Sequence, residues 1–431
     1  MTSSARLDPR RARPGLRLGL DETGITYAIL AVILLSAVLW ARFSPQVEQT
    51  DFSMTYVGAR ILHLGQSARL YDLQEQRAVR NAIFSRPSPL LFEHPPFEAL
   101  IFQPLAALPY RTVYIVWALV NAAIWLTLPF LLRPFAPAPR DTTGYLALFV
   151  LYAPLGIALF QGQTSIAMLL FYTLCFIQLK RGQPLAAGVC LGLALFKFQL
   201  VLPFVLIFLL RRQWRFLAGF TLSGAFFGVL SLIAVGWRGM FSYVRFLATI
   251  ASDPHNVSYG STLYMVSLQG FLNAVLGRFV GGTASGVLAT AVSLGLVVLT
   301  AWRWQRLKAA GAGPETEDLT FAAAIAVSLA AGSHLFPHDL SPLLLSLFLV
   351  VAHIPASGRR ALRGLLGAGL AVLWATPLVF ILLAEHCVYL LSPVLIALAL
   401  GALQLAGNSP AAPAVDLASV RPRRAPERIA S

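Results

Sequence analysis

Long apolar stretches separated by short groups of basic residues constrain this chain more than any other feature of its sequence. A stretch of about 20 apolar residues can cross a bilayer as a helix, and the bilayer interior admits only helices and closed barrels. Hydrophobic residues make up 57% of the 431 residues and charged residues 12%, which is about half the charge content typical of soluble proteins. The chain is therefore predicted to be an all-α polytopic membrane protein.

The apolar windows predict a bundle of about twelve transmembrane segments. They cover residues 24–42, 112–132, 143–160, 164–179, 184–197, 199–210, 216–236, 283–302, 319–334, 340–354, 362–384 and 387–405. The predicted organisation is a basic cytoplasmic N-terminus over residues 1–23, a multi-helix transmembrane domain over 24–405 with a long first periplasmic loop over 43–111, and a disordered cytoplasmic tail over 406–431. We expect a multi-pass membrane protein.

Basic residues set the orientation, because cytoplasmic loops are enriched in Lys and Arg. One threading places all seven basic clusters in the cytoplasm; they lie within residues 6–17, 133–140, 180–181, 211–215, 303–308, 359–363 and 421–424. The net charge of +15 then comes from membrane anchors, and no basic stripe with interleaved aromatics predicts nucleic-acid binding. The same threading assigns four segments to the periplasmic face, namely 43–111, 161–164, 237–282 and 333–339.

The stretch from 184 to 210 has basic clusters on both sides, so this threading requires an even number of crossings within it. Its 27 residues would span roughly 40 Å as one helix. Two short helices that meet near residues 197–199 satisfy the charge rule. The alternative is one long helix from which Lys197 snorkels toward the interface.

The first periplasmic loop holds most of the candidate chemistry. Asp51 lies close to the end of the first segment, where its carboxylate could act as general base toward a sugar hydroxyl or could simply cap a helix. Tyr56 and Arg60 follow and are candidate substrate-binding residues. His94 either faces the site or belongs to a solvated loop. The apolar piece over 101–109 is too short to span and is expected in the interface or as a re-entrant lip.

Four further residues complete the candidate set. Gln163 lies in a polar turn that could face the site or only form a capped hairpin. Lys197 is an ionisable residue flanked by aromatics within an apolar stretch, which requires an anionic partner, and a lipid phosphate is the obvious candidate. His334 and His338 are four residues apart, but Pro337 argues against a continuous helix and no glutamate lies between them. Hydrogen bonding to phosphate or sugar is therefore favoured over a metal site, and no metal or cofactor is expected.

These pieces together resemble glycosyltransferase family 87, a branch of the GT-C superfamily. The similar stretches are residues 51–71, the HPPF to PLAALP passage, QGQTSIAMLL, LAAGVCLGLALFKFQLVLPFVL followed by RRQW, and HDLSP at 338–342. The resemblance implies a GT-C-like fold, a catalytic Asp in the first periplasmic loop and inverting, metal-independent transfer from a polyprenyl-phosphate sugar. Carried over by residue, Asp51 would be the base and Lys197 a phosphate contact, with His94, Gln163, His334 and His338 binding substrate.

The predicted function is transfer of a mannose-like hexose from a polyprenyl-phosphate sugar to a lipid or glycan acceptor of the cell envelope, on the periplasmic face. The expected partners are this donor, the acceptor and membrane lipids. Two alternatives remain: a secondary transporter with twelve helices, and another lipid-linked glycan enzyme such as a polymerase or ligase. A first loop of about seventy residues favours the enzyme, since transporters bind substrate near the bilayer midplane.

Overall fold

A computed structural model of the chain describes residues 22–136, 148–252, 264–311, 313–354 and 360–408. Within these ranges all regular secondary structure is helical. The helices are α1 Glu22–Phe43, α2 Phe52–His63, α3 Leu73–Ile83, α4 Pro96–Phe102, α5 Tyr110–Leu132, α6 Ala153–Gln161, α7 Ser165–Lys180, α8 Pro184–Gly192, α9 Phe198–Leu210, α10 Trp214–Ser252, α11 Leu268–Val280, α12 Gly282–Ala309, α13 Pro314–Ala331, α14 Leu343–His353, α15 Arg360–Trp374, α16 Thr376–Ala384 and α17 Leu391–Ala406. The protein is an all-α membrane protein, as the composition predicts.

The structure has fewer long apolar helices than the twelve membrane crossings that the sequence predicts. Each of the twelve predicted segments contains a helix. Among the described residues, however, only four helices are long and apolar enough to cross: Tyr110–Phe135, Trp214–Ile250, Gly282–Ala309 and Val388–Ala406. Two bent pairs, α8 with α9 and α15 with α16, could raise this to six. Twelve crossings are therefore not confirmed, because about 20 helical residues are needed to span and helices such as α6 are far shorter.

Residues 43–111 form a folded helical layer. They contain α2, α3 and α4 together with 3₁₀ turns at 45–49 and 103–107, and α2 packs against α4 and against the second of these turns. At the end of this layer Arg111 donates hydrogen bonds to three carbonyls at the end of α1, those of Ala41, Arg42 and Ser44. The guanidinium thus caps the C-terminal end of α1 and connects the end of this layer to its beginning.

The stretch from 184 to 210 is broken. α8 and α9 are bent by 62° about a 3₁₀ turn at Leu195–Lys197. The short α8 is held by close packing against α10, since an added Cβ at Gly188 would overlap the carbonyl oxygen of Phe216. Small residues permit this backbone approach, which compensates for the shortness of the helix. The structure therefore has two helices here, and the single long helix is excluded.

Two central helices, α7 and α9, carry polar groups at both ends, and a third, α13, carries one near its beginning. α7 begins at Ser165 and ends at Lys180, a length of roughly 24 Å at 1.5 Å per residue. α9 is preceded by Lys197 and followed by Arg211, and α13 carries Asp318 in its second turn. Two separate polar clusters therefore lie at opposite ends of the same helices, with apolar side chains between them. The predicted N-terminus over 1–23 and tail over 406–431 fall almost entirely outside the described residues.

Candidate active site

Five side chains from four separate parts of the sequence form a closed polar ring at one end of the bundle. Asp51 Oδ2 accepts a hydrogen bond from Gln163 Nε2 at 2.8 Å, and Gln163 Oε1 accepts one from Lys197 Nζ at 2.9 Å. Lys197 forms an ion pair with Asp339. His338 closes the ring, with Nε2 3.5 Å from Asp339 Oδ1 and Nδ1 3.8 Å from Asp51 Oδ2. We call this set the polar ring.

The turn between α6 and α7 brings Gln163 beside Asp51. Gly162 ends α6 with a φ of 63°, a left-handed conformation that glycine adopts without strain. A Cβ at Gly162 would also lie 2.7 Å from the Cβ of Phe52, so a larger residue would force the turn away from α2. Trp117 stacks on Phe52 and donates its indole N–H to the Gly162 carbonyl at 2.8 Å. Aromatic packing thus fixes the register between the turn and the start of α2.

Asp51 has the most accessible side chain of the charged residues in the ring. It lies at the N-cap position of α2 but makes no capping hydrogen bond with its side chain, so the capping interpretation does not explain its presence. Its Oδ1 has no hydrogen-bond partner among the described residues, and the side chain is 22% exposed, against 5% for Lys197. A carboxylate held on one oxygen and open on the other can accept a proton from an incoming hydroxyl.

Lys197 is buried at the bend between α8 and α9 and does not snorkel. Only 4% of Lys197 is exposed, and its ammonium contacts the Asp339 carboxylate and the Gln163 amide. The partner required by a buried cation is therefore a carboxylate of the chain itself. Sequence reasoning named a lipid phosphate and left Asp339 out of the candidate residues. The signal was present, because Asp339 lies in one of the four segments assigned to the periplasmic face.

Asp339 is also fixed by groups other than Lys197. Its Oδ1 accepts a hydrogen bond from Ser165 Oγ at 2.8 Å, and its Oδ2 accepts one from the backbone N–H of Phe336 at 3.2 Å. Ser165 begins α7, directly after the turn that carries Gln163. Asp339 therefore ties the start of α7 to the segment before α14.

His94 lies next to the ring in a second polar group. Its Nδ1 is 2.7 Å from Glu98 Oε1, which also accepts a hydrogen bond from Thr55 Oγ1 at 3.1 Å. Burial lowers the pKa of His94, but the Glu98 carboxylate raises it by more, and the net effect is a raised pKa. The Lys197 charge also acts on His94 and lowers its pKa, so His94 is electrostatically coupled to the ring.

An apolar cavity of about 320 Å³ adjoins these two polar groups. Its walls include Phe196, directly before Lys197, and Thr164, directly after Gln163. Glu98 lines it as well. Glu98 Oε2 and Thr164 Oγ1 have no hydrogen-bond partner among the described residues. The cavity is otherwise lined by apolar and aromatic side chains, which suits an apolar chain whose polar end reaches the ring.

Besides His94, three candidate residues do not join the ring. Tyr56 donates its hydroxyl to the Leu108 carbonyl at 2.6 Å, and Arg60 donates to the Ala106 carbonyl at 2.8 Å. Both side chains thus brace α2 on the segment that follows α4. His334 is half-buried and its Nδ1 is 3.1 Å from Ser333 Oγ. A role for these three in binding substrate stays a prediction.

The two histidines of the 333–339 segment are not on one helix. Phe336 is extended, with φ −92° and ψ 166°, and the 3₁₀ turn begins at Pro337. In the described part of the chain no group of three or more His, Cys, Asp or Glu side chains could hold a metal ion.

Comparison with known proteins adds the family. The model of glycosyltransferase family 87 matches residues 92–331, a range that includes His94, Gln163 and Lys197 and excludes Asp51 and Asp339. One curated relative is the polyprenol-phosphate-mannose-dependent alpha-(1-2)-phosphatidylinositol pentamannoside mannosyltransferase of Mycolicibacterium smegmatis, 26% identical over 283 residues. The match spans 64% of this chain and 64% of that relative. No solved structure matches. Because the family model covers more than half of its residues, the chain belongs to glycosyltransferase family 87.

Proposed function

We propose that this membrane glycosyltransferase moves a mannose-like hexose from a polyprenyl-phosphate sugar to a lipid or glycan acceptor of the cell envelope, on the periplasmic face of a bacterial inner membrane. The observation that carries the proposal is the half-open Asp51 carboxylate in a ring with buried Lys197, next to an apolar cavity. Family membership favours a transferase over the secondary transporter.

We assign one chemical role to Asp51 and another to Lys197, which lie at different positions in the ring. Asp51 Oδ1 takes the proton of the acceptor hydroxyl while that oxygen bonds to the anomeric carbon of the donor sugar, with inversion at that carbon. The bond from this carbon to the phosphate oxygen breaks, and polyprenyl phosphate leaves with the electron pair. No metal takes part in this route, since the charge that develops on the leaving phosphate is met by protein cations.

Lys197 is the proposed phosphate contact. An ammonium has three N–H donors, and Gln163 and Asp339 take two of them, so one remains for a phosphate oxygen. His94 and His338 flank the same position and are the further donors we assign to the phosphate or sugar. In this proposal Asp339 is a positioning residue, because it holds Lys197 and does not itself contact substrate.

Two cavities, one lined by the residue before Lys197 and the other by the residue after it, support lipid-borne substrates. The first, with Phe196 in its wall, is proposed for the isoprenoid chain of the donor. The second has a volume of about 550 Å³ and is lined by Phe198 and Gln199 on one side and by Ser333 on the other. Since both begin at residues adjacent to the ring, each could hold the tail of one lipid while its head group reaches Asp51 or Lys197.

The test uses purified full-length protein supplied with polyprenyl-phosphate mannose and a lipid extract as acceptor, with release of polyprenyl phosphate as the readout. Asp51→Asn should lower turnover by about 10²-fold or more, because an amide cannot take the proton. Asp72→Asn is the matched control: Asp72 caps α3 by accepting hydrogen bonds from the N–H groups of Gln74 and Glu75, and lies in the same helical layer. Its turnover should be unchanged.

Two results would contradict the proposal. Normal turnover by Asp51→Asn would remove Asp51 from the reaction while leaving the transferase intact. Failure of the wild-type protein to release lipid phosphate from any polyprenyl-phosphate hexose would remove the donor class itself, and transfer of a preassembled glycan instead would favour a polymerase or ligase.

A further inference from the structure

A polar cavity lies at the end of the bundle opposite the polar ring. It has a volume of about 460 Å³ and lies at the ends of α7, α9 and α12 and the beginnings of α8 and α13. Three cations line it, Lys180, Arg211 and Lys308, each from a different basic cluster of the sequence. Two carboxylates, Glu317 and Asp318, line it as well. The cavity shares no lining residue with the ring.

Both carboxylates already have partners. Asp318 Oδ1 accepts a hydrogen bond from Lys180 Nζ at 2.6 Å, and His353 Nε2 lies 3.3 Å from its Oδ2. Glu317 Oε2 accepts the indole N–H of Trp304 at 2.9 Å. Of the two carboxylates, Asp318 is paired with a cation, while the partner of Glu317 is neutral. The cavity therefore keeps the positive charges of Arg211 and Lys308 and the one negative charge of Glu317.

Arg211 is buried without an anionic partner. Its guanidinium lies over the ring of Trp304 at 3.6 Å and near that of Phe208 at 5.4 Å, while only 4% of the residue is exposed. Across the described residues its side chain makes no hydrogen bond or ion pair, and its Nε is completely buried. Burial lowers the pKa of Arg211 to about 10, although the more distant Glu317 charge raises it. A desolvated guanidinium with unused donors is stabilised strongly by an anion that accepts them.

The start of α8 adds further donors. Its first turn contains no acidic residue, and its N-cap residue Gln183 makes no capping hydrogen bond with its side chain. Pro184, at the first helical position, lines the cavity. The free N–H groups and the dipole of this helix end favour an anion in the same space.

We propose that this cavity binds a phosphate group, with Arg211 as the principal ligand and Lys308 as a second, more exposed cation. A guanidinium that lies over the Trp304 ring and has no hydrogen bond to the protein can donate its N–H groups to an oxyanion, which suits the oxygens of a phosphate. The volume exceeds that of a single phosphate ion, so either a phospholipid head group or a free phosphate could enter. The proposal does not depend on the transferase reaction.

The test measures the thermal stability of delipidated full-length protein in a neutral detergent. Phosphatidylglycerol in mixed micelles and inorganic phosphate at constant ionic strength are titrated separately. Arg211→Met keeps an apolar chain beside Trp304, and it should weaken the stabilising effect of the anion by about tenfold or more, because charge-assisted hydrogen bonds are lost. Lys308→Gln should weaken it less. Arg181→Met is the matched control, since Arg181 is exposed next to Lys180 and does not line the cavity.

A response to phosphatidylglycerol alone identifies a lipid head group, and a response to inorganic phosphate as well identifies a free phosphate. Both support the site if Arg211→Met loses the response and Arg181→Met keeps it. If neither probe stabilises the wild-type protein, or if both arginine variants respond as the wild type does, the proposal is wrong. Should Arg211→Met not fold, an unaltered response of Lys308→Gln overturns it equally.

Discussion

The ion pair of Lys197 and Asp339 joins residues that are 142 positions apart and nearly free of solvent contact. Buried pairs of this kind add little net stability, but removal of one partner leaves an uncompensated charge at a cost of about 3–5 kcal/mol. Lys197 is thus both a structural contact and the proposed phosphate ligand. Experiments on it have to separate these two roles.

A double substitution achieves the separation. Lys197→Met alone should destabilise the protein by about 3 kcal/mol or more. Addition of Asp339→Asn removes the stranded charge, and the single amide oxygen can still accept one of the two hydrogen bonds, from Ser165 or from Phe336, so part of the stability should return. Turnover should stay low in both variants, because neither offers a cation to the leaving phosphate. Thermal unfolding and lipid-phosphate release measure the two effects.

The control is Lys180→Met at the other end of α7. Its ion pair with Asp318 is partly exposed, with 24% of the lysine side chain accessible, so stability should fall less and turnover should persist. A stable double variant with wild-type turnover would end the phosphate assignment of Lys197.

His94 makes stability depend on pH. Because the folded-state pKa of His94 is raised by Glu98 against the opposing effect of burial, the folded protein holds this proton more tightly than the unfolded chain does. The stabilisation is present at acidic pH and is lost as pH rises through the raised pKa. Relative to His94→Gln, the wild-type melting temperature should therefore decline as pH rises above the ordinary histidine pKa of about 6.5. Parallel curves for the two proteins would show that the pair with Glu98 contributes nothing.

At the scale of elements, the turn between α6 and α7 is the most constrained piece of the site. Gly162→Ala should raise the energy of the left-handed backbone by about 1 kcal/mol and also push the turn away from Phe52. We expect lower turnover, since Gln163 would move relative to Asp51. Gly65→Ala isolates the first effect, because Gly65 has a similar φ of 73° and open space around it. Equal turnover in the two variants would show that the contact with Phe52 does not matter.

The sequence predicts which segments are helical but not how they end or pair. Apolar runs and basic clusters identify the break before Lys197 and a segment boundary at residue 236, where Gly236 has a φ of 66° and kinks α10. The helical content of residues 43–111 was not foreseen, because amphipathic and polar helices such as α3 carry no membrane signal. Asp339 was left out for a related reason: its segment was assigned to the periplasmic face, but a pair separated by 142 residues is created by tertiary packing, and no local pattern links Asp339 to Lys197.

At the scale of the whole molecule, the two ends of the bundle differ in chemistry. Asp51, Gln163 and Asp339 come from three of the four segments that the charge rule assigns to the periplasm, and they meet in one ring. The cations of the cavity that contains Arg211 come from three of the basic clusters assigned to the cytoplasm. This segregation along the shared helices agrees with a single orientation of the chain. Which end faces the periplasm is the remaining proposal.

Cysteine labelling tests that orientation. In a variant without Cys175, Cys190 and Cys387, cysteines at the exposed positions His63 and Ser333 should react with a membrane-impermeant maleimide in intact cells, since they lie at the ring end. A cysteine at exposed Gln183, at the other end, should react only after permeabilisation, because positive-inside loops face the cytoplasm. Labelling of denatured protein serves as the control for reactivity. The reverse pattern would invert the chain in the membrane and move the proposed transfer to the cytoplasmic face.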